Sequence, residues 1–246
     1  MIEASRIRLA GTGGANEALL VVSGLRPDPS APPSSFRLSR GECAAFVPFG
    51  VSSDVCGGFV EGLLSGAVPR GEAPSFRFRG VDVIGMAPEE LAARGLHAMA
   101  STPPWFPGMV PQILYRSAST ARRAALGFDP IETVSFSRDV RNLASAVGLD
   151  ASAFSSPMSS DAPWRMRMAC SVVCARLLAP SLIVVLPQVF PSDEEGGDGE
   201  AGRLLAAAAT PGTAFLLIAP SEAFSEAFSS ASRRSVRIID GHGDES

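Results

Sequence analysis

The residues best placed to do chemistry are the small ones at positions 50–58, GVSSDVCGG. They lie between two apolar stretches. Residues 43–47 precede them and have the look of a buried strand. Phe59, Val60, Leu63 and Leu64 follow at helical spacing, and Gly66 stops the run. A strand, a small-residue loop over 50–58 and a helix form the context in which backbone amides and a helix N-terminus hold phosphate. Phosphoryl chemistry also needs a lysine against the β- and γ-phosphates and a hydroxyl on Mg²⁺. No lysine occurs between Gly41 and Gly66. The simpler reading is a tight strand-to-helix connection with no ligand. The alternative is a weak anion site made of amides.

Other reactive side chains are few. Cys43 and Cys56 belong to the strand and the loop. Cys170 and Cys174, spaced i, i+4 in an apolar helical run, could put two thiolates on one metal; the simpler reading is cysteine as a small buried hydrophobe. His97 and His242 are the only histidines, so a catalytic triad or a histidine-based metal site has little to draw on. Asp193, Glu194, Glu195, Asp198 and Glu200 could bind Ca²⁺, but their glycines and lack of ligand periodicity favour a solvated loop. Trp105 and Phe106 in a proline-rich loop are equally readable as a partner anchor and as core packing. Arg122-Arg123 and Arg233-Arg234 read as solvated faces.

Bulk properties limit the function classes. The chain has 246 residues, 46% hydrophobic and 19% charged, with net charge −4. That suits a globular protein with a sizeable core and argues against a nucleic-acid footprint, which needs a basic excess. The longest apolar runs, 182–186 and 213–219, fall far short of the roughly 20 residues that span a bilayer. The N-terminus lacks the pattern of a signal peptide, and a cytoplasmic location is expected.

The elements that must position these residues follow from periodicity and punctuation. Strands are expected at 5–9 and 18–22, then a proline-rich loop at 27–35 and a short strand from Phe36 to Leu38. Residues 69–74 form a turn. Phe76 and Phe78 alternate with Arg77 and Arg79, a half-exposed strand, and Val81, Val83 and Ile84 follow. Pro88, Glu89 and Glu90 begin a helix that Gly95 ends. A strand at 96–100 leads to an ordered apolar loop at 101–111. The pattern over 113–147 is helical, broken near 127–130 and closed by residues 148–150, and 164–178 is a further helix ended by Pro180. Residues 182–186 and 214–218 are strands buried on both faces. Between them come a polar loop at 191–202 and a helix at 204–209. A helix at 221–229 and a strand at 235–239 complete the order, and the tail frays. Alternating strands and helices imply a mainly parallel α/β core.

In this order the elements resemble an ATP-binding-cassette (ABC) ATPase domain, most of all the ATPase of the Suf iron–sulfur assembly system. The carriers are Gly41-Glu42 before a strand, Gly80-Val-Asp82-Val with the segment APEELAARG ending at Gly95, FPGM from Phe106 to Met109, and Ala121-Arg122-Arg123. Gly148-Leu149-Asp150, the run APSLIVVL ending at Leu186, and the run FLLI ending at Ile218 complete them. The resemblance implies a single domain with a P-loop NTPase-like core: a mainly parallel sheet, an antiparallel β edge and a helical subdomain. The core lobe would comprise about 1–111 and 179–246, the helical lobe about 112–178.

The motifs that carry the family's chemistry are replaced. Gly50, Ser52, Ser53, Asp54, Gly57 and Gly58 are the degenerate nucleotide-loop positions. Counting from Gly41 puts the lysine position on Asp54; counting back from Gly66 puts it on Gly57. Pro187 and Gln188 take the two Walker B carboxylate positions, Ser101 the glutamine-loop position and Pro220 that of the switch histidine. The signature segment reads MSSDAPWRM, with Ser159 and Ser160 as remnants. The resemblance thus implies a non-catalytic subunit, with no cofactor or only weak Mg-ATP binding. It would pair, as a homo- or heterodimer, with an active homologue, an iron–sulfur scaffold or a membrane subunit, with Trp105 and Phe106 as candidate partner surface. The alternative is an atypical ATPase with substitute residues, such as Arg70 or Arg77 as the missing cation.

Overall fold

The computed structural model describes residues 18–67, 74–99, 141–142, 145, 147–148, 164–178, 180–187 and 197–241. Its central element is a parallel sheet. The strands are β3 (Cys43–Val47), β6 (Leu96–Met99), β7 (Leu182–Val185), β8 (Ala214–Ile218) and β9 (Val236–Asp240), in the order β6-β7-β8-β3-β9. The inner strands are buried on both faces, and the edge strand β9 is largely exposed. Side chains alternate across a strand, so each strand feeds two cores. Leu182 and Val184 enter one hydrophobic cluster with Ala44, Phe46, Leu216 and Ile218. Ile183 and Val185 enter the other with Cys43, Ala45, Phe215 and Leu217. This explains why 182–186 and 214–218 are continuous apolar runs rather than alternating ones.

A second, antiparallel sheet packs on the first face. Its order is β2-β1-β4-β5, from β1 (Leu20–Leu25), β2 (Ser34–Leu38), β4 (Ser75–Phe78) and β5 (Val81–Asp82). Phe76 and Phe78 are buried and Arg77 is exposed, as the period of two requires. Arg79 and Gly80 both have positive φ, 49° and 76°, which the tight hairpin between β4 and β5 demands. Phe36 stacks on Phe46 at 5.6 Å between ring centroids, joining the two sheets.

The helices are distributed by connection handedness. From β3 the chain moves across the sheet to the far edge strand β6. From β6 it then returns through β7 and β8 and passes over β3 to β9. Right-handed crossovers put opposite directions of travel on opposite faces. Accordingly α1 (Ser53–Ser65) and α2 (Pro88–Arg94) pack in the first cluster, and α3 (Trp164–Leu178), α4 (Asp198–Ala206) and α5 (Glu222–Ser232) pack in the second. Gly66 and Gly95, expected as helix stops, are left-handed C-caps at φ 77° and 87°.

Two stretches differ from the sequence-based expectation. Residues 50–58 are not a loop throughout, because α1 begins at Ser53, and Cys56 is helical. Gly57 and Gly58 weaken that helix by about 1 kcal/mol each. Burial of Val60, Leu63 and Leu64 contributes roughly 2 kcal/mol per side chain and outweighs them. Similarly, the expected polar loop at 191–202 and helix at 204–209 resolve differently: α4 already starts at Asp198 and ends at Ala206. Asp198 and Glu200 favour its positive end. Gly202, poor in a helix by propensity, is needed where α4 crosses α5. A Cβ there would stand 2.6 Å from the Phe224 carbonyl oxygen and 2.9 Å from the Phe228 nitrogen.

Candidate functional site

In an open parallel sheet, a crevice forms at the carboxyl ends of two neighbouring strands whose chains leave to opposite faces. Here that point lies between β3, which leaves toward α1, and β8, which leaves toward α5. The strand ends around it are laced together. The Ala219 N–H donates to the Phe46 carbonyl at 2.8 Å, the Gly241 N–H to the Val47 carbonyl at 2.9 Å, and the Leu186 N–H to the Met99 carbonyl at 3.1 Å.

The positions expected to correspond to a nucleotide loop lie on the turn and first helical turns that follow β3, at the mouth of this crevice. Residues 48–52 make a short turn from β3 into α1, with Gly50 at φ 67°. Ser52 is the N-cap of α1; its hydroxyl accepts from the Val55 N–H at 3.4 Å. Ser53 and Asp54 lie in the first helical turn and are exposed, Gly57 is buried a turn further on, and Gly58 is exposed. Of the two registers for the missing lysine, Asp54 therefore falls at the helix N-terminus and Gly57 inside the helix. Pro187 lies two residues after the end of β7 and is buried; Pro220 lies between Ala219, at φ 48°, and Ser221, the N-cap of α5. Gln188, Ser101, Trp105, Phe106, Ser159, Ser160, Arg70, Arg122, Arg123, Asp193, Glu194 and Glu195 lie outside the described residues, as do the side chains of Cys170 and Cys174.

The electrostatics of this mouth do not favour phosphate. No arginine or lysine occurs between Glu42 and Ala67, and Asp54 and Asp240 are exposed there. Val47, Phe49 and Val55 present apolar surface, Phe49 being 56% exposed. Asp54 takes up the helix dipole, an interaction of about 0.3–1 kcal/mol. It would oppose each phosphate charge by roughly 1 kcal/mol at about 4 Å even in water. A fact of composition sharpens this: all 21 basic side chains are arginine, so the chain contains no lysine anywhere.

Several structural residues escaped the sequence reading. Arg234, expected on a solvated face, is half-buried. Its guanidinium donates to the Thr213 carbonyl at 2.6 Å and the Thr210 carbonyl at 2.7 Å, contacts the Cys43 sulfur at 3.6 Å, and lies over the Phe215 ring at 5.8 Å. These partners lie near the amino ends of β3 and β8, so its role is to join α5 to the sheet. Arg233 is exposed and forms the left-handed C-cap of α5. Glu200, expected in a solvated loop, ion-pairs with Arg165 of α3. Burial raises the Cys43 thiol above its usual range despite the neighbouring Arg234, and pushes Cys56 up to about 12. His97 is buried on β6, its Nε2 has no hydrogen-bond partner, and burial pushes its pKa down to about 4. Among the described residues no group of three or more His, Cys, Asp or Glu could hold a metal, and no helix is long and apolar enough to cross a membrane.

No family model and no curated protein matches the chain. Solved structures do. A nucleotide-free ATP-binding cassette from an ABC transporter superposes with a TM-score of 0.59 at 13% identity, covering 92% of this chain and 89% of that one. The structure of cbiO1 from Clostridium perfringens, part of the ABC transporter complex cbiONQ, gives 0.57 at 10% identity, covering 92% and 86%. MJ1267, an ATP-binding cassette of an ABC transporter, in its ADP conformation, gives 0.58 at 12% identity, covering 92% and 89%. At these identities the likeness concerns the backbone, and it agrees with the two sheets and their connections: the chain has the α/β, P-loop NTPase-like fold of the ATP-binding cassettes.

Proposed function

We propose that the chain is a non-catalytic subunit with the ATP-binding-cassette fold, acting by assembly with a protein partner. One observation carries this reading. The first turn of α1 offers Ser53, Asp54 and Val55, an acid and no cation, and the chain has no lysine to supply one. Hydrolysis by such a fold depends on positioning and charge stabilisation, with lysine, metal and an oriented water acting together. Pro187 and Gln188 after β7 and Pro220 after β8 offer neither carboxylate nor imidazole for those roles.

The partner class follows from the resemblance in sequence and from the similar structures. Among the latter, cbiO1 is part of a transporter complex. The segments at 106–109 and 121–123 resemble those of the Suf-type iron–sulfur assembly ATPase. An active homologue, an iron–sulfur scaffold or a membrane subunit would each suit this reading, with a cytoplasmic location and no resident cofactor.

A second reading is an atypical ATP-binding subunit. It is favoured by the capped N-terminus of α1 with Gly50 before it, and by the ADP-conformation cassette among the similar structures. It requires an arginine from elsewhere to replace the lysine. Calorimetry of the full chain with Mg-ATP separates the two. The first reading expects no saturable binding below millimolar nucleotide and no phosphate release. Micromolar binding would overturn it in favour of the second. Mass spectrometry of proteins that co-purify from the native host identifies the partner.

A further inference from the structure

The described residues line a half-open cavity of about 300 Å³ on the second face of the parallel sheet, between α3 and α4. Val172 and Val173 of α3 form one wall, Ala206 and Ala207 at the end of α4 another, and Val147 closes a side. Arg176, one turn beyond Val172, is the lone charged lining residue among them. The position is away from the crevice at the strand carboxyl ends. α3 runs into β7 and the end of α4 runs toward β8, so these residues stand by the amino ends of those strands. The cavity is therefore independent of the nucleotide-like site and of its proposed loss of function.

Its chemistry is that of an amphipathic anion site. The valine and alanine side chains offer no donor or acceptor, and the lining is mainly apolar, so it suits an apolar ligand body. Arg176 is exposed in the last turn of α3, and no ion pair or hydrogen bond holds it among the described residues. Arg165, on the same helix, is by contrast satisfied by Glu200. A planar guanidinium at the rim of an apolar cavity matches a carboxylate through two parallel hydrogen bonds. A multiply charged phosphate would have to shed its water against valine with a single cation to compensate. We infer that this cavity binds a small aliphatic monocarboxylate, its chain against Val172, Val173, Ala206 and Ala207 and its head on Arg176.

The test uses the full chain and calorimetric titration with butyrate, hexanoate and octanoate, and with octanol as the uncharged control. Affinity should rise roughly threefold to fourfold per added methylene and reach the millimolar range or better with octanoate. Arg176→Gln should weaken octanoate at least tenfold and leave octanol unchanged. Because Arg176 is exposed, that variant should keep the wild-type circular dichroism and melting temperature. Ala207→Leu, which fills the cavity, should weaken octanoate and octanol together. No octanoate binding at millimolar concentration would overturn the inference. Equal binding of octanoate by wild type and Arg176→Gln, or equal binding of octanol and octanoate by wild type, would do the same.

Discussion

Gly241 lies directly against the turn that leads into α1: a Cβ on it would stand 2.6 Å from the Phe49 amide nitrogen. The glycine cannot retreat. Its N–H donates to the Val47 carbonyl at 2.9 Å, and its own carbonyl accepts from the buried Ser34 hydroxyl at 2.8 Å. The end of β9 thus braces the turn between β3 and α1 from one side while β2 holds β9 from the other. Gly241→Ala should lower stability by about 1–3 kcal/mol through overpacking against backbone. Gly58→Ala serves as the contrast. Its Cβ would meet nothing within 4 Å and it lies inside α1, so it should raise stability by about 0.5–1 kcal/mol. Urea unfolding of both variants checks this, and equal midpoints would refute the bracing role.

The crossing of α4 and α5 predicts a second pair. Gly202→Ala would drive a methyl into the backbone of α5 at Phe224 and Phe228 and should cost about 1–3 kcal/mol. Gly199→Ala meets only the Arg203 guanidinium at 3.7 Å and Ala227 at 4.0 Å, ordinary contacts, and should be neutral or slightly stabilising. Thermal melts of the two variants distinguish a packing requirement at Gly202 from a general tolerance of alanine in α4.

His97 predicts a pH dependence. Its folded-state pKa of about 4 lies below the ordinary 6.5 because burial disfavours the imidazolium. Between those values the unfolded chain binds more protons than the folded one. The contribution is therefore complete above about pH 6.5, falls as pH drops through that window, and is lost below about 4. The slope from this group approaches roughly 1.4 kcal/mol per pH unit. His97→Leu should remove that part of the slope in urea titrations at pH 7, 6 and 5. An unchanged slope in the variant would place the dependence on other groups.

The buried thiols predict a labelling pattern. Cys43 and Cys56 are both buried with raised pKa values, and the thiolate is the reactive form. At pH 8 iodoacetamide should leave both unmodified in the native protein and alkylate both in urea, as read by peptide mass spectrometry. Rapid native labelling of either would contradict the packing of β3 or α1.

The inner strands were legible because burial on both faces leaves continuous apolar runs. Residues 182–186 and 214–218, and all but the last of 43–47, are buried, and their short length, with β-branched residues in 182–186, separates them from helices. Helix ends marked by Gly66 and Gly95 were legible too, since a left-handed C-cap is a local requirement. Helix starts at Ser53 and Asp198 were not. Gly57 and Gly58 early in α1 and Gly199 in the first turn of α4 are residues that local propensity counts against a helix, and long-range packing overrides it. The expectations for residues 100–140 and 149–163 lie outside the described residues.

For the candidate site the division is sharper. The sequence by itself determined which residue types stand at the expected positions: no lysine anywhere, Pro187 and Gln188 in place of carboxylates, and Pro220 in place of a histidine. These are matters of residue type and need no geometry. It also determined that several strands are buried, because periodicity records burial. The tertiary structure alone decided which neighbour each strand takes, in the order β6-β7-β8-β3-β9, and so where the crevice opens. It also turned Arg234 from an expected surface charge into a link between Thr210, Thr213 and Cys43, and left His97 buried with an unpartnered nitrogen. The physical reason is common to these cases. Strand order and buried polar contacts join residues far apart in the chain, and local side-chain patterns carry no record of a partner 21 or 191 positions away.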